Sequence, residues 1–333
     1  MTPRVSVVVP LYQTEAYIAL ALRSVLAQTF SDFEVVVVDD GSRDRGPDIA
    51  RGIGDSRVRV VTQENRGLAG ARNTGIRLAR GEIVALLDAD DLWEPSKLAR
   101  HVAELDGDPA LDVSFSASRL IDDAGNDLGL LQSPLGGRLE DVDFFCRNPG
   151  GNGSAPVLRR RALDRIATYD ATLDRICWFD ESFRQSEDIE CWMRLKAGAG
   201  CRFGYIAEPL TRYRVNSGGL SANVSAQLAT WQRFRDKVAT YAPELVTRHG
   251  ARAEAYQLRY LARRAVRSAD RAQALVLALG SLRRFPRTLV EEPARTLATL
   301  GAALAKRILS GALFEQIERT ALAWAAQRPG LRL

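Results

Sequence analysis

Three carboxylates fall within four positions, Asp88, Asp90 and Asp91, directly after the apolar run Ile83-Val84-Ala85-Leu86-Leu87. Like charges this close repel, so something positive should offset them. A hard divalent cation with oxygen ligands meets that need. The competing reading is a helix start, with Asp91 or Ser96 capping a helix over 95–106. One acid can serve as a cap, but three need a further reason. A second acid pair, Glu187-Asp188, follows Ser186 and opens the helical pattern Ile189 to Leu195. Acids at a helix start are favoured by the helix dipole whether or not they do chemistry. A third acidic turn, Asp39-Asp40-Gly41-Ser42, ends another apolar run. Asp40 can accept a ligand N–H there, or close an Asx-turn on its own backbone.

Strands and helices must alternate to place these groups. Val5 to Pro10, Phe33 to Val38 and Ile83 to Leu87 are apolar and largely β-branched, and read as buried strands. Arg57 to Val61 reads as a further strand. Tyr17 to Gln28 carries Ile18, Leu22, Val25 and Leu26 at helical spacing. Gly67 to Arg80 is a helix whose polar side holds Arg72 and Asn73. Such alternation predicts an α/β fold with a mostly parallel, Rossmann-like sheet and right-handed crossovers. The acids then sit at the carboxyl ends of strands, where open α/β sheets bind ligands. Residues 118–155 read as loop, with Gly136, Gly137, Gly150, Gly151 and Gly153.

The 333 residues, 46% hydrophobic, suffice for one large α/β domain plus an appendage. Cys146, Cys177, Cys191 and Cys201 form no C-x-x-C pair and have no nearby histidine, which argues against structural zinc and a disulfide framework. His101 and His249 read as surface helix residues. No signal-peptide core opens the chain, and no apolar run approaches the roughly 18 residues of a membrane span. A cytoplasmic protein is expected. The net charge of +5 is uneven. Residues 226–333 hold 19 basic against 8 acidic side chains, a net of +11, and residues 1–225 carry −6. A basic segment suggests an anionic partner.

The order of short stretches resembles the nucleotide-sugar-binding half of the family 2 glycosyltransferases, of the GT-A fold. The stretches are Val7-Val8-Val9-Pro10-Leu11-Tyr12, Ser24 to Phe30, Val37-Val38-Asp39-Asp40-Gly41-Ser42, Asn65-Arg66-Gly67 with Ala71-Arg72-Asn73-Thr74-Gly75, and Asp88-Ala89-Asp90-Asp91. The likeness continues through Phe179-Asp180-Glu181, Ser186-Glu187-Asp188 and Trp192-Met193-Arg194-Leu195 to Tyr213-Arg214, and covers residues 4–221. It implies a hexosyltransferase that moves a single sugar, with inversion, from a UDP-linked sugar to a hydroxyl acceptor, a glycan or a lipid-linked one, in cell-surface glycan synthesis. Pro10, Tyr12, Glu15, Asp40, Arg72 and Asp88 would then bind the nucleotide. Asp90 with Asp88 would hold Mn²⁺ or Mg²⁺, with Asp91 as a helper or helix cap. Asp188 would be the catalytic base, with Glu187 beside it.

Two departures from the family pattern stand out. Asn216 occupies the position of a histidine that often completes the metal site, and ligates only through its carbonyl if at all. The Q-x-x-R-W pattern of processive synthases is missing after Asp188, which favours single transfer over polymerisation. Residues 1–225 are expected to form the transferase domain, split near 117 into donor and acceptor halves. Residues 226–333 form an Ala/Leu/Arg-rich helical region. Leu258, Leu261, Ala262, Ala265 and Val266 share one face of it, and Arg259, Arg263, Arg264 and Arg267 lie around the other. That face packs on other helices or on a second copy of the chain, or lies on an anionic membrane at its inner, cytoplasmic side. Nucleic acid is not expected, because no aromatics interleave for base stacking. The alternatives are a non-catalytic scaffold on the same fold and another enzyme of nucleotide-diphosphate sugars, such as a nucleotidyltransferase.

Overall fold

The β-branched stretch Val5–Leu11 forms β1, the strand on which the first sheet half is built. It pairs in parallel with β2 (Phe33–Asp39) and β4 (Ile83–Leu86), and β2 pairs in parallel with β3 (Val58–Thr62). The structure is a computed structural model and describes residues 2–133, 139–215, 224–266, 272–309 and 313–314. Two compact units emerge, one of Met1–Leu139 and Pro149–Asn216, the other of Glu140–Asn148 and Ser217–Leu331.

In the first unit the period-2 alternation of strands decides what packs where. Val5, Val7, Val9 and Leu11 point into a core shared with Val35, Val37, Ile83, Ala85 and helix α1 (Ile18–Leu26). Val36 and Val38 point the other way, against Ala71. That residue lies on α3 (Gly67–Leu78), which follows the short helix α2 (Gly46–Arg51). Gly75 lets α3 lie close on the sheet: a Cβ there would stand 2.2 Å from Val8 Cγ1.

Beyond β4 the sheet becomes mixed. The two-residue strand β5 (Leu92–Trp93) and helix α4 (Lys97–Gly107) follow the acid cluster. The full order is β3-β2-β1-β4-β8-β6-β11-β5, with β6 as Val113–Ile121, β8 as Val157–Arg159 and β11 as Phe203–Arg214. β7 (Asp127–Gln132) pairs with β6. The expected loop over 118–155 is therefore corrected. It contains the end of β6, all of β7 and helix α5 (Asp141–Arg147), with turns left at 122–126 and 148–153. The strand β6 was hidden because Ser114, Ser116 and Ser118 interrupt its apolar pattern, yet all three are buried in it. Helix α6 (Arg160–Ile166), the hairpin β9–β10 (Thr168–Asp170 and Arg175–Cys177), helix α7 (Glu187–Met193) and one π-helical turn (Arg194–Gly198) complete this unit.

The second unit joins α5 to α8 (Val224–Tyr241), α9 (Pro243–Ala265), α10 (Gln273–Arg284), α11 (Thr288–Glu291) and α12 (Pro293–Ile308). Leu261, Ala262, Ala265 and Val266 are buried in its core with Ala274, Leu277, Ala278 and Ala303, and Leu258 packs against them. Arg259 does not lie on a polar outer face as expected. It is buried and paired with Glu292 and Thr296. Arg267 lies outside the described residues. No described helix is long and apolar enough to cross a membrane.

Candidate active site

The end of β4 delivers Asp88 through Asp91 into a tight turn, closed by Asp91 N–H donating to Asp88 O at 3.0 Å. The three acids diverge. Asp91 turns inward and is fully buried. Its carboxylate accepts from Ser154 Oγ at 2.6 Å and from the Arg214 amide at 2.8 Å. Burial, then Asp90 and Asp88 beside it, push its carboxyl well above the usual range. It caps no helix: α4 starts at Lys97 after Ser96, whose side chain makes no cap bond. Asp88 keeps a partly exposed carboxylate and accepts from Arg72 Nη2 at 2.7 Å. Its amide donates to Ser154 Oγ at 2.9 Å. Asp90 is partly exposed, and its carbonyl accepts from Arg214 Nε at 2.8 Å.

Arg72 joins this loop to the second acid pair. Its guanidinium is 1% exposed, with Nη1 donating to Glu187 at 2.6 Å and Nη2 to Asp88. Its reach is toward the acid cluster, between Asp88 and Glu187. Burial alone would weaken its charge, but Asp88, Glu187 and Asp188 raise its pKa further still. Gly153 makes room for the pair, since a Cβ there would stand 2.1 Å from Arg72 Nη2 and 3.0 Å from Asp88 Oδ2. Glu187 is buried, which pushes it up to about 7 against the pull of Arg72. Asp188 is partly exposed, and its Oδ1 accepts from the Ile189 amide at 2.8 Å. Enclosure in the cleft raises its carboxyl; Arg72 opposes this and Asp88 adds to it. Ser186, at φ 60°, turns the chain so that α7 begins with both acids.

Asp40 is buried and serves the start of α3. Its carboxylate accepts from Gln63 Nε2 at 2.6 Å, the Arg66 amide at 2.9 Å and the Gly67 amide at 2.8 Å. Pro10 is buried in β1, and Tyr12 just beyond it is 49% exposed. Glu15 is exposed, and its Oε2 accepts from the Arg45 amide at 2.9 Å, the residue that precedes α2. Asn216 lies outside the described residues.

Sequence reasoning missed four positions that organise these groups. Asn73 is buried, with Oδ1 accepting from the Trp178 and Phe179 amides and Nδ2 donating to Phe179 O and Glu181. Arg66 pairs with Glu181 at 2.8 Å. These contacts tie the stretch before α7 to α3. Arg214 donates to the carbonyls of Asp90, Asp122 and Asp123 and lies 4.5 Å from the centre of the Tyr17 ring. His101 is no surface residue. It is fully buried beside Lys97. The apolar neighbours Leu98, Val102 and Leu105 carry that face of α4 into the core.

Among the described residues no three His, Cys, Asp or Glu side chains converge as a protein cage for a metal. Asp91 is buried, whereas Asp88 and Asp90 are partly exposed, so these two are the oxygen donors of the loop that a cation could reach. That fits a hard cation that completes its shell from a ligand, not one the protein encloses.

A family profile described as Glycosyl transferase family 2 matches residues 6–167. An uncharacterized glycosyltransferase of Nostoc sp. is 32% identical over 237 residues, 68% of this chain and 69% of that protein. The succinoglycan biosynthesis protein ExoO of Rhizobium meliloti is 32% identical over 253 residues, 71% of this chain and 69% of its own. Among solved structures, S. aureus TarS 1-349 in complex with UDP-GlcNAc superposes with a TM-score of 0.58 at 21% identity, over 96% of this chain and 92% of that one. The mannosyltransferase PcManGT from Pyrobaculum calidifontis, in complex with GDP-Man and Mn²⁺, gives 0.56 at 23% identity, over 92% and 88%.

Proposed function

The chain belongs to the family 2 glycosyltransferases and has the GT-A fold, and on that premise we propose that it moves one sugar from a UDP-linked donor to a hydroxyl acceptor with inversion. The observation that carries this reading is the Arg72 bridge. One buried guanidinium joins Asp88, in the acid loop after β4, to Glu187, next to Asp188. A donor site and a proton acceptor are thereby held in one rigid arrangement.

Pro10 and Tyr12 flank the base pocket in this reading. Asp40 already accepts three hydrogen bonds, and a carboxylate offers about four lone-pair sites. One remains for a ring N–H of the base. Asp90 with Asp88 would hold Mn²⁺ or Mg²⁺, which when bound offsets negative charge on the departing diphosphate. Asp188 takes the acceptor hydroxyl's proton as that oxygen attacks the anomeric carbon. Its raised pKa makes it a stronger base than an ordinary aspartate. Glu187 keeps Arg72 aligned and does not reach the acceptor. The ExoO likeness supports a role in polysaccharide synthesis, and the complexes of TarS and PcManGT support a nucleotide sugar and a divalent ion. The basic helical unit would meet an anionic membrane surface that carries the acceptor.

The test is a melting-temperature screen of UDP- and GDP-sugars, each in Mn²⁺ and in EDTA. A ligand that binds only the folded chain raises the melting temperature. A UDP-sugar should raise it in Mn²⁺ alone. A response only to GDP-sugars would reassign the nucleotide, and no response to any would defeat the reading.

A further inference from the structure

Behind the acid loop lies a row of buried polar side chains that the proposed reaction does not use. Lys97, the first residue of α4, is fully buried. Its Nζ donates to Ala155 O at 2.8 Å and Thr211 Oγ1 at 3.2 Å, and meets His101 Nε2 at 3.3 Å. An ammonium has three hydrogens and accepts nothing, and three acceptors face it. With Lys97 in its ammonium form His101 Nε2 accepts, which leaves the ring hydrogen on Nδ1, 2.6 Å from Ser114 Oγ. Ser114 in turn donates to Glu104. The result is a directional chain from a buried ammonium to a partly exposed carboxylate, through two side chains that are themselves fully buried.

A buried cation is costly, and an apolar side chain of similar volume would often be at least as stable. Burial drives the Lys97 ammonium down to about 7, while the charge of Asp91 pulls the other way. The contacts of Lys97 lead back to the acid loop. Ala155 follows Ser154, and Thr211 Oγ1 also donates to Ser154 O at 3.4 Å. Thr211 pairs with Trp93 between β11 and β5, and the Trp93 ring centre stands 5.3 Å from Nζ. Ser154 is the residue whose hydroxyl serves both Asp91 and the amide of Asp88.

We propose that Lys97, oriented by His101, Ser114 and Glu104, is a positioning residue for the donor site: it fixes Ser154, and Ser154 fixes Asp88 and Asp91. This rests on the reading of the acid loop as the donor site. The test is a double-mutant cycle of Lys97→Met and Asp91→Asn, with Glu104→Gln as a milder variant at the partly exposed end of the chain. The probes are UDP and GDP, each with Mn²⁺, titrated by calorimetry. The melting temperature of each protein is read in parallel. Each single variant should weaken the nucleotide about tenfold, and the double variant no more than the worse single, because residues that act as one unit are not additive. Glu104→Gln should weaken it by roughly two- to fivefold at a nearly unchanged melting temperature. Losses that multiply, or wild-type affinity in Lys97→Met or Glu104→Gln, would overturn the proposal. If neither nucleotide binds any form, the donor reading fails. The melting-temperature cycle then decides, with additive decreases counting against Lys97.

Discussion

Replacing Asp188 by asparagine keeps the side chain's shape and its bond from the Ile189 amide while removing its basicity. Turnover should fall by roughly 100- to 10,000-fold, the usual range for a lost general base. Donor affinity should stay near normal, since the base meets the acceptor and not the diphosphate. Turnover and calorimetric affinity on one preparation separate the two. The sign of the pH dependence follows from the raised pKa. Asp188 must be ionised to act, so activity should drop as pH falls, at a higher pH than an ordinary aspartate would give. That acid limb should vanish in Asp188→Asn. Arg72 acts differently. Arg72→Met would leave buried Glu187 without its counter-ion, and breaking such a buried pair costs roughly 3–5 kcal/mol. Denaturant unfolding should show that loss, and a stability within 1 kcal/mol of wild type would remove the bridge from its central place.

At the scale of elements, the approach of α3 to β1 sets where Arg72 and Asn73 stand. Gly75→Ala should lower stability by roughly 1–3 kcal/mol through overpacking against Val8, although alanine favours a helix more than glycine does. Adding Val8→Ala should restore part of the loss, and equal stability of the single variant would show that α3 can slide. This part of the fold was legible in the sequence because β1, β2 and β4 are largely apolar runs rich in β-branched residues, and β2 and β4 lead into acids. The acids themselves were legible as an unusual cluster. Their partners were not. Arg72 and Glu187 are 115 positions apart, and no local period links them. His101 looked polar and exposed, because its burial depends on Lys97 and on Ser114 of β6. β7 was hidden because it is a largely exposed edge strand with a glycine at its centre and no buried face to impose an alternating pattern, and β5 is only two residues long.

Across the whole molecule, charge divides along the chain, with +11 in residues 226–333. Val290, Leu297 and Ile308 are 81%, 59% and 69% exposed on helices of the second unit. If this unit meets an anionic surface, the protein should sediment with anionic vesicles and less so as salt is raised. Leu297→Ser with Ile308→Ser should reduce the bound fraction. Equal sedimentation with neutral vesicles would favour a protein partner for these residues instead. The nucleotidyltransferase and scaffold alternatives both lose ground to the family assignment, because the matched stretch, residues 6–167, carries Asp40, Asp88 and Asp90 of the proposed donor site.

Inversion at the anomeric carbon is the central claim, and it can be read without knowing the acceptor. When no other hydroxyl is offered, water can stand in as the acceptor, and Asp188 would take the proton of that water as it would of a sugar. The measurement is proton NMR of the sugar first released from an α-linked UDP-sugar in Mn²⁺, recorded before the anomers equilibrate, for the wild type and for Asp188→Asn. Inversion at a site built on Asp188 predicts the β-anomer first, and almost no release by the variant. Release of the α-anomer first, or undiminished release by Asp188→Asn, would contradict it.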